Sequence, residues 1–246
     1  MKIALLGYGK MGREVEAVAQ AAGHTVVAKF DVDRPATLDT LRVSRTEVAI
    51  DFSQAVAIER NVELCANAGI PIVIGTTGWD NAKESVRKRV EAAGIGCVTG
   101  SNFSIGVNLF LAIVRDAAKL LDSAGYDAYI LEAHHRAKKD YPSGTALRLS
   151  EAVLAGMKSK TRAISELTQG QAIAKDALLI SSIRSGAITG THTVGFESED
   201  DTIELTHRAR SRRGFATGAV KAAEWIRGKK GFYTFEEHLN EVLSAA

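Results

Sequence analysis

The chain contains few cysteines and few prolines. Its 246 residues include two cysteines, Cys65 and Cys97, and three prolines. The cysteines stand far apart and form neither a CxxC pair nor a cluster with metal-ligand spacing, which argues against a bound metal. Both lie in apolar runs, so we expect buried free thiols in a reducing compartment. No stretch rich in proline and serine marks a linker.

A large excess of charge and a long apolar run are also missing. The formal net charge is +2, which gives no electrostatic reason to expect binding to nucleic acid or to an anionic membrane. No apolar run approaches the roughly 18 residues of a membrane-spanning helix. The strand-like Lys2–Leu6 follows Met1 at once, where a signal peptide would have a different pattern. These features predict a soluble cytoplasmic protein.

Strand-like and helix-like runs alternate through the first part of the chain. This alternation, with continuous apolar strands, predicts an α/β protein with a parallel sheet covered on both faces. The predicted strands are Ile3–Leu6, Thr25–Phe30, Val48–Phe52, Pro71–Ile74 and Ile95–Val98. The predicted helices between them are Arg13–Ala22, Ala55–Ala68 and Asn81–Ala93.

The pattern changes in the second part of the chain. Helices are predicted at Val107–Leu121, Ala146–Met157, Gly218–Arg227 and Phe235–Leu243, and strands at Tyr126–Ala133, Leu178–Arg184, Thr191–Glu197 and Thr202–His207. The last three strands alternate as antiparallel strands do. We therefore predict a Rossmann-type dinucleotide-binding domain, residues 1–104 and 216–246. A smaller α+β domain for substrate binding and oligomerisation, residues 105–215, is predicted to have a mixed, largely antiparallel sheet.

A glycine-rich loop follows the first predicted strand. Its sequence is Gly7-Tyr-Gly-Lys-Met-Gly12, and the GxGxxG pattern gains meaning from its position between a strand and a helix. Gly7 permits a tight turn, Gly9 lets a pyrophosphate approach the backbone, and Gly12 allows close packing of helix and strand. The loop therefore predicts a dinucleotide site.

The choice between NADH and NADPH depends on the charges after the second strand. Asp31 stands at the spacing expected for the acid that binds the ribose hydroxyls, with Asp33 as a weaker substitute. Asp31 would repel a 2′-phosphate, which slightly favours NADH. Lys10 and Arg34 could offset the charge of that phosphate, so NADPH also stays open.

An imidazole pair, a lysine and a Ser-Gly-Thr turn stand close together before a predicted helix. His134 and His135 precede Lys138, and Ser143–Thr145 opens the helix. Histidine can exchange a proton near neutral pH, and the N–H groups of a helix start suit an anion. The segment indicates a site that protonates a carbon while holding a carboxylate. Both histidines can reach it only if the strand ends near Ala133, since successive strand residues face opposite sides.

These motifs resemble those of one family, the 4-hydroxy-tetrahydrodipicolinate reductases, also called dihydrodipicolinate reductases. The block from Glu132 to Ala146 has the pattern HHRxKxDxPSGTA, which is very specific to the family. Other matching segments cover most of the chain: the N-terminal glycine loop, Asp51–Ser53, Gly75–Trp79, Ser101–Asn108, His207–Ala219 and Gly231–Thr234.

The resemblance implies a fold, a reaction and an assembly. It implies NAD(P)H-dependent conversion of 4-hydroxy-tetrahydrodipicolinate to tetrahydrodipicolinate, a step of lysine and diaminopimelate synthesis. The subunit would have two domains, usually in a homotetramer built by the sheets of the smaller domain. No nucleic acid, membrane or metal is expected as a partner.

The resemblance also implies roles for individual residues. His134 is expected to be the proton donor, and Lys138 the group that holds a substrate carboxylate and supports the acid. Further substrate contacts are expected from His135, Ser143, Gly144 and Thr145. The expected cofactor contacts include the glycine loop and the later loops of the same domain. They are Gly7, Gly9, Lys10, Met11, Gly12, Asp31, Phe52, Gly75, Thr76, Thr77, Ser101, Asn102, Phe103, Arg212 and Phe215.

Two other functions stay open from the residues alone. One is a related amino-acid dehydrogenase, such as an aspartate dehydrogenase, which would use the same two-domain plan. The other is a dinucleotide-binding sensor without turnover.

His192 and His207 lie on alternating strands and are interpreted as structural or interfacial residues.

Overall fold

The computed structural model describes residues 1–244, and the chain forms two compact units. Unit 1 comprises Met1–Ile105 together with the described residues from Arg212 onward, and unit 2 comprises Gly106–Ser211. Each unit has its own core of buried apolar side chains. No helix within the described residues is both long and apolar enough to cross a bilayer.

The first part of unit 1 alternates strands with helices, which confirms the pattern predicted from the sequence. Its elements are β1 (Lys2–Leu6), α1 (Lys10–Ala21), β2 (Thr25–Phe30), α2 (Leu38–Val43), β3 (Val48–Asp51), α3 (Ile58–Ala68), β4 (Ile72–Ile74), α4 (Lys83–Ala93) and β5 (Gly96–Thr99). The short helix α2 was not predicted. Its six residues are too few to show a helical period in the sequence. A capping box between Thr37 and Thr40 stabilises the helix.

Unit 2 combines two helices with five strands. Its elements are α5 (Ile105–Ser123), β6 (Asp127–His134), α6 (Gly144–Gly156), β7 (Arg162–Ile164), β8 (Ala177–Arg184), β9 (Thr191–Glu197) and β10 (Thr202–Arg208). The sequence predicts all of these except β7. This strand has three residues, two of which are exposed, so it lacks the apolar alternation by which strands are found.

The chain then returns to unit 1 through three elements, α7 (Arg213–Ile226), β11 (Gly231–Thr234) and α8 (Phe235–Ser244). Helix α7 begins five residues before the predicted start at Gly218. Strand β11 was not predicted, because its four residues are all half-buried. It pairs in parallel with β5 and adds a sixth strand to the sheet.

The sheet of unit 1 has the order β11-β5-β4-β3-β1-β2, and its strand pairs are parallel. Successive residues of β1 enter different cores: Ile3 and Leu5 face one, Ala4 and Leu6 the other. This confirms the predicted parallel sheet with two buried faces. Strand β1 lies between β2 and β3, so the order of the strands in the sheet changes direction at β1. Ligands bind at such a switch point, beyond the carboxyl ends of the strands.

The sheet of unit 2 has the order β10-β9-β6-β8-β7. Strand β9 is antiparallel to both β10 and β6, whereas β8 is parallel to both β6 and β7. The predicted mixed sheet is confirmed, but antiparallel pairs do not predominate as expected. The alternating pattern of β8 reveals that one face is buried and carries no information about the direction of the neighbouring strand.

Candidate active site

A cavity of about 440 Å³ opens at the carboxyl ends of β1, β2 and β3 in unit 1. Four predicted cofactor residues line it: Gly7, Gly9, Asp31 and Phe52. A second cavity of about 320 Å³ shares part of this wall and is lined by five more of them, Lys10, Met11, Gly75, Thr76 and Thr77. The structure therefore brings the glycine loop and the loops after β2, β3 and β4 together.

The geometry of the glycine loop fits a pyrophosphate. A Cβ atom on Gly12 would lie 2.3 Å from the carbonyl oxygen of Gly7, so only glycine allows this packing. A Cβ atom on Gly9 would meet nothing within 4 Å, which leaves open space beside the first turn of α1. Gly9 is the N-cap of α1 and makes no side-chain cap. The helix start can therefore receive an anion.

A buried carboxylate fixes the two loops after β3 and β4. Asp51 accepts hydrogen bonds from the Ser53 backbone N–H at 2.8 Å and hydroxyl at 2.7 Å, from Asn61 Nδ2 at 2.8 Å and from Thr76 Oγ1 at 3.0 Å. Burial raises the pKa of Asp51, although these hydrogen bonds act in the opposite direction. The sequence identified the loop Asp51–Ser53, but not that Asp51 would connect it to the loop after β4.

Two charged side chains border the larger cavity. Asp31 follows β2, and its Oδ1 accepts a hydrogen bond from the Val32 N–H at 2.9 Å. Arg60, from α3, also lines the cavity and donates from Nη2 to the carbonyl oxygen of Ala36 at 3.2 Å. Arg60 was not predicted as a cofactor residue, because nothing in the sequence of α3 shows which face meets the cavity.

Six predicted cofactor residues do not line these two cavities, and Gly12, which packs against Gly7, is one of them. Phe103 is 1% exposed, and its ring centroid lies 6.2 Å from that of Phe52, so its side chain supports the cavity wall from behind. Asn102 Oδ1 accepts a hydrogen bond from the Ser104 N–H at 2.8 Å. Ser101 and Arg212 are exposed, and Phe215 is half-buried in the first turn of α7.

The histidine motif lies in unit 2 at the end of β6. The strand buries every second residue, so that Glu132 and His134 lie on the same buried face as Ile130. It ends at His134, one residue after the predicted end near Ala133. His135 lies beyond the strand and is half-buried, so the strand alternation does not force it to the face opposite His134.

Glu132 is fully buried and contacts several partners. Its Oε1 accepts hydrogen bonds from Ser182 Oγ at 2.6 Å, Arg184 Nη2 at 2.7 Å and the Ser143 N–H at 3.3 Å. Its Oε2 lies 2.6 Å from His134 Nδ1. Burial acts to raise the pKa of Glu132, but the hydrogen bonds outweigh it and lower the pKa below the usual value. Glu132 is therefore an anion near neutral pH.

His192 joins this cluster from β9. Its Nε2 lies 3.1 Å from Ser143 Oγ, and its ring packs edge-on against that of His134, with centroids 5.0 Å apart. Burial, supported by the nearby charge of His134, lowers the pKa of His192 to about 4, although Glu132 acts in the opposite direction. The sequence could not show this position, since it follows from the pairing of Glu132 with His192 across the sheet.

Glu132, His134 and His192 offer ligand atoms within 4.8 Å of one another, a spacing that a metal ion could also use. Arg184 already neutralises the carboxylate charge at 2.7 Å. Lys138 adds a second positive charge, which opposes protonation of His134. A divalent cation would add further charge to this site, so we interpret the cluster as a group that handles a proton.

The predicted carboxylate-binding groups lie next to this cluster in sequence. Helix α6 begins at Gly144, two residues before the predicted start, because Ser143 Oγ caps the Ala146 N–H at 3.2 Å. A Cβ atom on Gly144 would meet nothing within 4 Å, so a ligand can approach this helix start closely. Lys138 Nζ donates to both carboxylate oxygens of Asp140, at 2.9 and 2.8 Å.

Known proteins with similar sequences agree with these observations. The family model "Dihydrodipicolinate reductase, N-terminus" matches residues 1–103, and "Dihydrodipicolinate reductase, C-terminus" matches residues 106–239. The 4-hydroxy-tetrahydrodipicolinate reductase of Christiangramia forsetii is 38% identical over 99% of both chains. That of Archaeoglobus fulgidus is also 38% identical, over 97% of this chain and 100% of its own.

A solved structure has the same fold. The dipicolinate-bound dihydrodipicolinate reductase from Paenisporosarcina sp. TG-14 superposes with a TM-score of 0.76, at 23% identity, over 96% of this chain and 98% of its own. The family is one of oxidoreductases that use a pyridine nucleotide in lysine and diaminopimelate biosynthesis. The motifs, the two family models and the full-length relatives lead to the same result: the chain belongs to the dihydrodipicolinate reductase family.

Proposed function

We propose that this chain reduces 4-hydroxy-tetrahydrodipicolinate to tetrahydrodipicolinate, with the nucleotide bound by unit 1 and the substrate bound by unit 2. The observation that carries the proposal is the pairing of His134 with the buried Glu132, 2.6 Å apart. The first turn of α6, which can bind an anion, follows this pair closely in sequence, and the chain belongs to this family. When bound, the reduced nicotinamide supplies the hydride. The residues of the chain supply binding, orientation and the proton.

The cavities of unit 1 support the assignment of the cofactor residues. Gly9 and the start of α1 would hold the pyrophosphate, and Asp31 would accept hydrogen bonds from the ribose hydroxyls. The loops after β3 and β4, held by Asp51, would border the nicotinamide end. A cofactor with a 2′-phosphate would meet the charge of Asp31 but also that of Arg60, which lines the same cavity. We propose NADH as the preferred cofactor, with NADPH also accepted.

The substrate carries two carboxylates, and unit 2 offers two separate groups that can bind them. The helix start at Ser143–Thr145 would hold one carboxylate through backbone N–H groups and hydroxyls. Lys138 would hold the other after giving up its contact with Asp140. This exchange costs little free energy because the Asp140 side chain is 60% exposed. Two contacts fix the orientation of the ring, and His135 would add a third.

His134 is proposed to protonate the ring. After loss of the 4-hydroxyl group as water, hydride addition to the unsaturated ring leaves a neighbouring carbon that must gain a proton. His134 can donate it, because an imidazole exchanges protons close to neutral pH. Lys138 would stabilise the carboxylate while the electron density of the ring changes.

A coupled assay tests this function. The preceding synthase generates the substrate from pyruvate and aspartate semialdehyde, and oxidation of NADH and of NADPH is followed separately. We expect turnover with either cofactor and none with L-aspartate and NAD⁺. Lys138→Ala should lower kcat by about 100-fold or more, with the Kd for NADH unchanged. Lys139→Ala, which changes the neighbouring exposed lysine, is the matched control and should behave as the unchanged protein.

Each contrary outcome leads to another function. No turnover despite cofactor binding would refute the reductase assignment. Oxidation of L-aspartate would indicate the amino-acid dehydrogenase instead. A Lys138→Ala variant with undiminished turnover would refute the proposed role of Lys138.

We also propose that the chain assembles as a homotetramer through the sheet of unit 2. One face of this sheet packs on α5 and α6, whereas Leu131 and Ile183 of the opposite face are 36% and 46% exposed. Apolar side chains on an open sheet face favour contact with a second copy. Light scattering should give the mass of four chains, and Leu131→Arg should reduce it. A monomeric unchanged protein would refute the assembly.

A further inference from the structure

In the proposed function Glu132 is only the partner of His134, and what its buried carboxylate does there is not yet explained. It lies at the centre of unit 2, on the same face of β6 as His134 and two residues before it. A fully buried carboxylate is costly unless its charge is compensated and its oxygens are hydrogen-bonded. A residue with these costs, in contact with the proposed proton donor, calls for an explanation beyond packing.

The two oxygens of Glu132 have different surroundings. Oε1 receives hydrogen bonds from Ser182, Arg184 and the Ser143 backbone, at 2.6, 2.7 and 3.3 Å. These donors come from β8 and from the turn before α6, so they hold the carboxylate from two sides. Oε2 lies 2.6 Å from His134 Nδ1 and 4.0 Å from His192 Nε2, and its contact with Nδ1 is a close ion pair rather than an aligned hydrogen bond. The carboxylate is therefore fixed in one orientation before the histidine contacts it.

This arrangement determines which nitrogen of His134 carries the exchangeable proton. An anionic oxygen beside Nδ1 favours a proton on that nitrogen, in both the charged and the neutral imidazole. The proton that can leave is then the one on Nε2. Gly190 lies beside Nε2 and has no side chain, which leaves space there. A Cβ atom at this position would lie only 3.1 Å from Nε2. The acid therefore acts through Nε2.

We infer that Glu132 is a positioning residue that keeps His134 in the Nδ1-protonated form, so that Nε2 delivers the proton, and that Ser182 and Arg184 hold Glu132 for this task. The inference rests on the proposed function, since it assigns Nε2 of His134 as the proton donor. In this step the N–H bond at Nε2 breaks and its electron pair stays on Nε2, while the C–H bond forms with the electron pair that hydride addition leaves on the ring. The resulting neutral imidazole keeps its Nδ1 proton towards Glu132.

The charges around His134 predict how the variant should respond to pH. Burial lowers the pKa of His134, and Lys138 and Arg184 add to this, whereas the carboxylate of Glu132 raises it. His192, from β9, packs on the ring and has a depressed pKa itself. Glu132→Gln removes the carboxylate charge, so the pKa of His134 should fall further. The protonated acid would then be populated only at lower pH.

The first measurement is the pH dependence of kcat for Glu132→Gln. At pH 7.5 we expect a loss of kcat of about 100-fold, the range that a positioned general acid contributes. The midpoint on the alkaline side should move to lower pH, so that the loss shrinks as the pH falls. The Kd for NADH should stay unchanged. Ile180→Val is the control: it removes a methyl group from the same buried face and should keep the normal midpoint.

The second measurement does not depend on turnover. In protein labelled with ¹⁵N-histidine, the nitrogen shifts of His134, assigned by their loss in His134→Asn, report the tautomer at pH 8. We expect the Nδ1-protonated form in the unchanged protein and a shift towards the Nε2-protonated form in Glu132→Gln. An Nε2-protonated imidazole in the unchanged protein would overturn the inference. An equal loss of activity by Glu132→Gln at every pH, with the normal midpoint, would overturn it too.

The two measurements separate this inference from the proposed function. If the protein showed no turnover of the substrate, the proposed function would fail. The tautomer would still be decided by the nitrogen shifts.

Discussion

Acidification should destabilise unit 2 through His192, and the size of the effect follows from its burial. The His192 side chain is 6% exposed, and its pKa is lowered from 6.5 to about 4. The difference of about 2.5 units corresponds to about 3 kcal/mol, at about 1.36 kcal/mol for each unit. The ring nitrogen Nδ1 is buried without a hydrogen-bond partner among the described residues. A proton added to the ring would create a buried charge that the carboxylate of Glu132, 4.0 Å from Nε2, offsets only in part.

The sign follows from proton linkage. Below pH 6.5 the unfolded chain binds a proton at His192, whereas the folded chain does not until the pH nears 4. Proton binding therefore lowers the free energy of the unfolded state relative to the folded state as the pH falls through this window, and the free energy of unfolding decreases. His134 and His207 also have lowered pKa values, chiefly through burial, and act in the same direction.

The assay must report on unit 2 alone. Both tryptophans, Trp79 and Trp225, belong to unit 1, so tryptophan fluorescence would follow the wrong unit. Hydrogen exchange of peptides that cover β6 and β9, measured at pH 7 and pH 4.5 and corrected for intrinsic rates, reports the opening free energy locally. We expect a loss of about 2–3 kcal/mol in the unchanged protein.

His192→Gln supplies the comparison, since glutamine does not titrate in this range. The loss between pH 7 and pH 4.5 should be smaller in this variant by most of the predicted amount. An equal loss in both proteins would refute the reasoning, because it would show that the buried His192 does not contribute to the pH dependence.

Three further predictions concern individual side chains. Asp31→Ser should raise the ratio of kcat/KM for NADPH over NADH roughly tenfold, equivalent to about 1.4 kcal/mol; an unchanged ratio would show that Asp31 does not select the cofactor. Gly75→Ala would place a Cβ atom 2.2 Å from the ring of Phe52, so titration should show weaker NADH binding and thermal unfolding a loss of about 1–3 kcal/mol. Gly190→Ala would place a methyl group 3.1 Å from His134 Nε2, and kcat should fall by on the order of 10- to 100-fold, with the Kd for NADH unchanged.

Local patterns sufficed for much of the fold. The strands of unit 1 are buried on both faces and separated by amphipathic helices, so their alternation alone indicated a parallel sheet. The missed elements have no such pattern. Strand β11 has four residues that are all half-buried, so it shows no alternation. Helix α2 has six residues, fewer than two turns, so it shows no helical period. The parallel direction of β8 was missed because side-chain alternation is the same in both directions.

The candidate site shows the same division. His134, Lys138 and Ser143 were identified because they stand within one short segment of a specific motif. Ser182 and Arg184 of β8 and His192 of β9 were not, because they lie on other strands than Glu132 and reach it only through the register of the sheet. Arg60 reaches the cofactor cavity only through the orientation of α3.

The sequence by itself determined the family and the motifs on which the two predicted sites are based, because these are set by contiguous segments whose chemistry and period are local. Only the tertiary structure decided which oxygen of Glu132 faces His134, which residues hold that carboxylate and which loops Asp51 joins. These contacts link residues that are distant in the chain, such as Glu132 and Arg184 at 2.7 Å. Their energies depend on burial, which no single segment of the sequence contains.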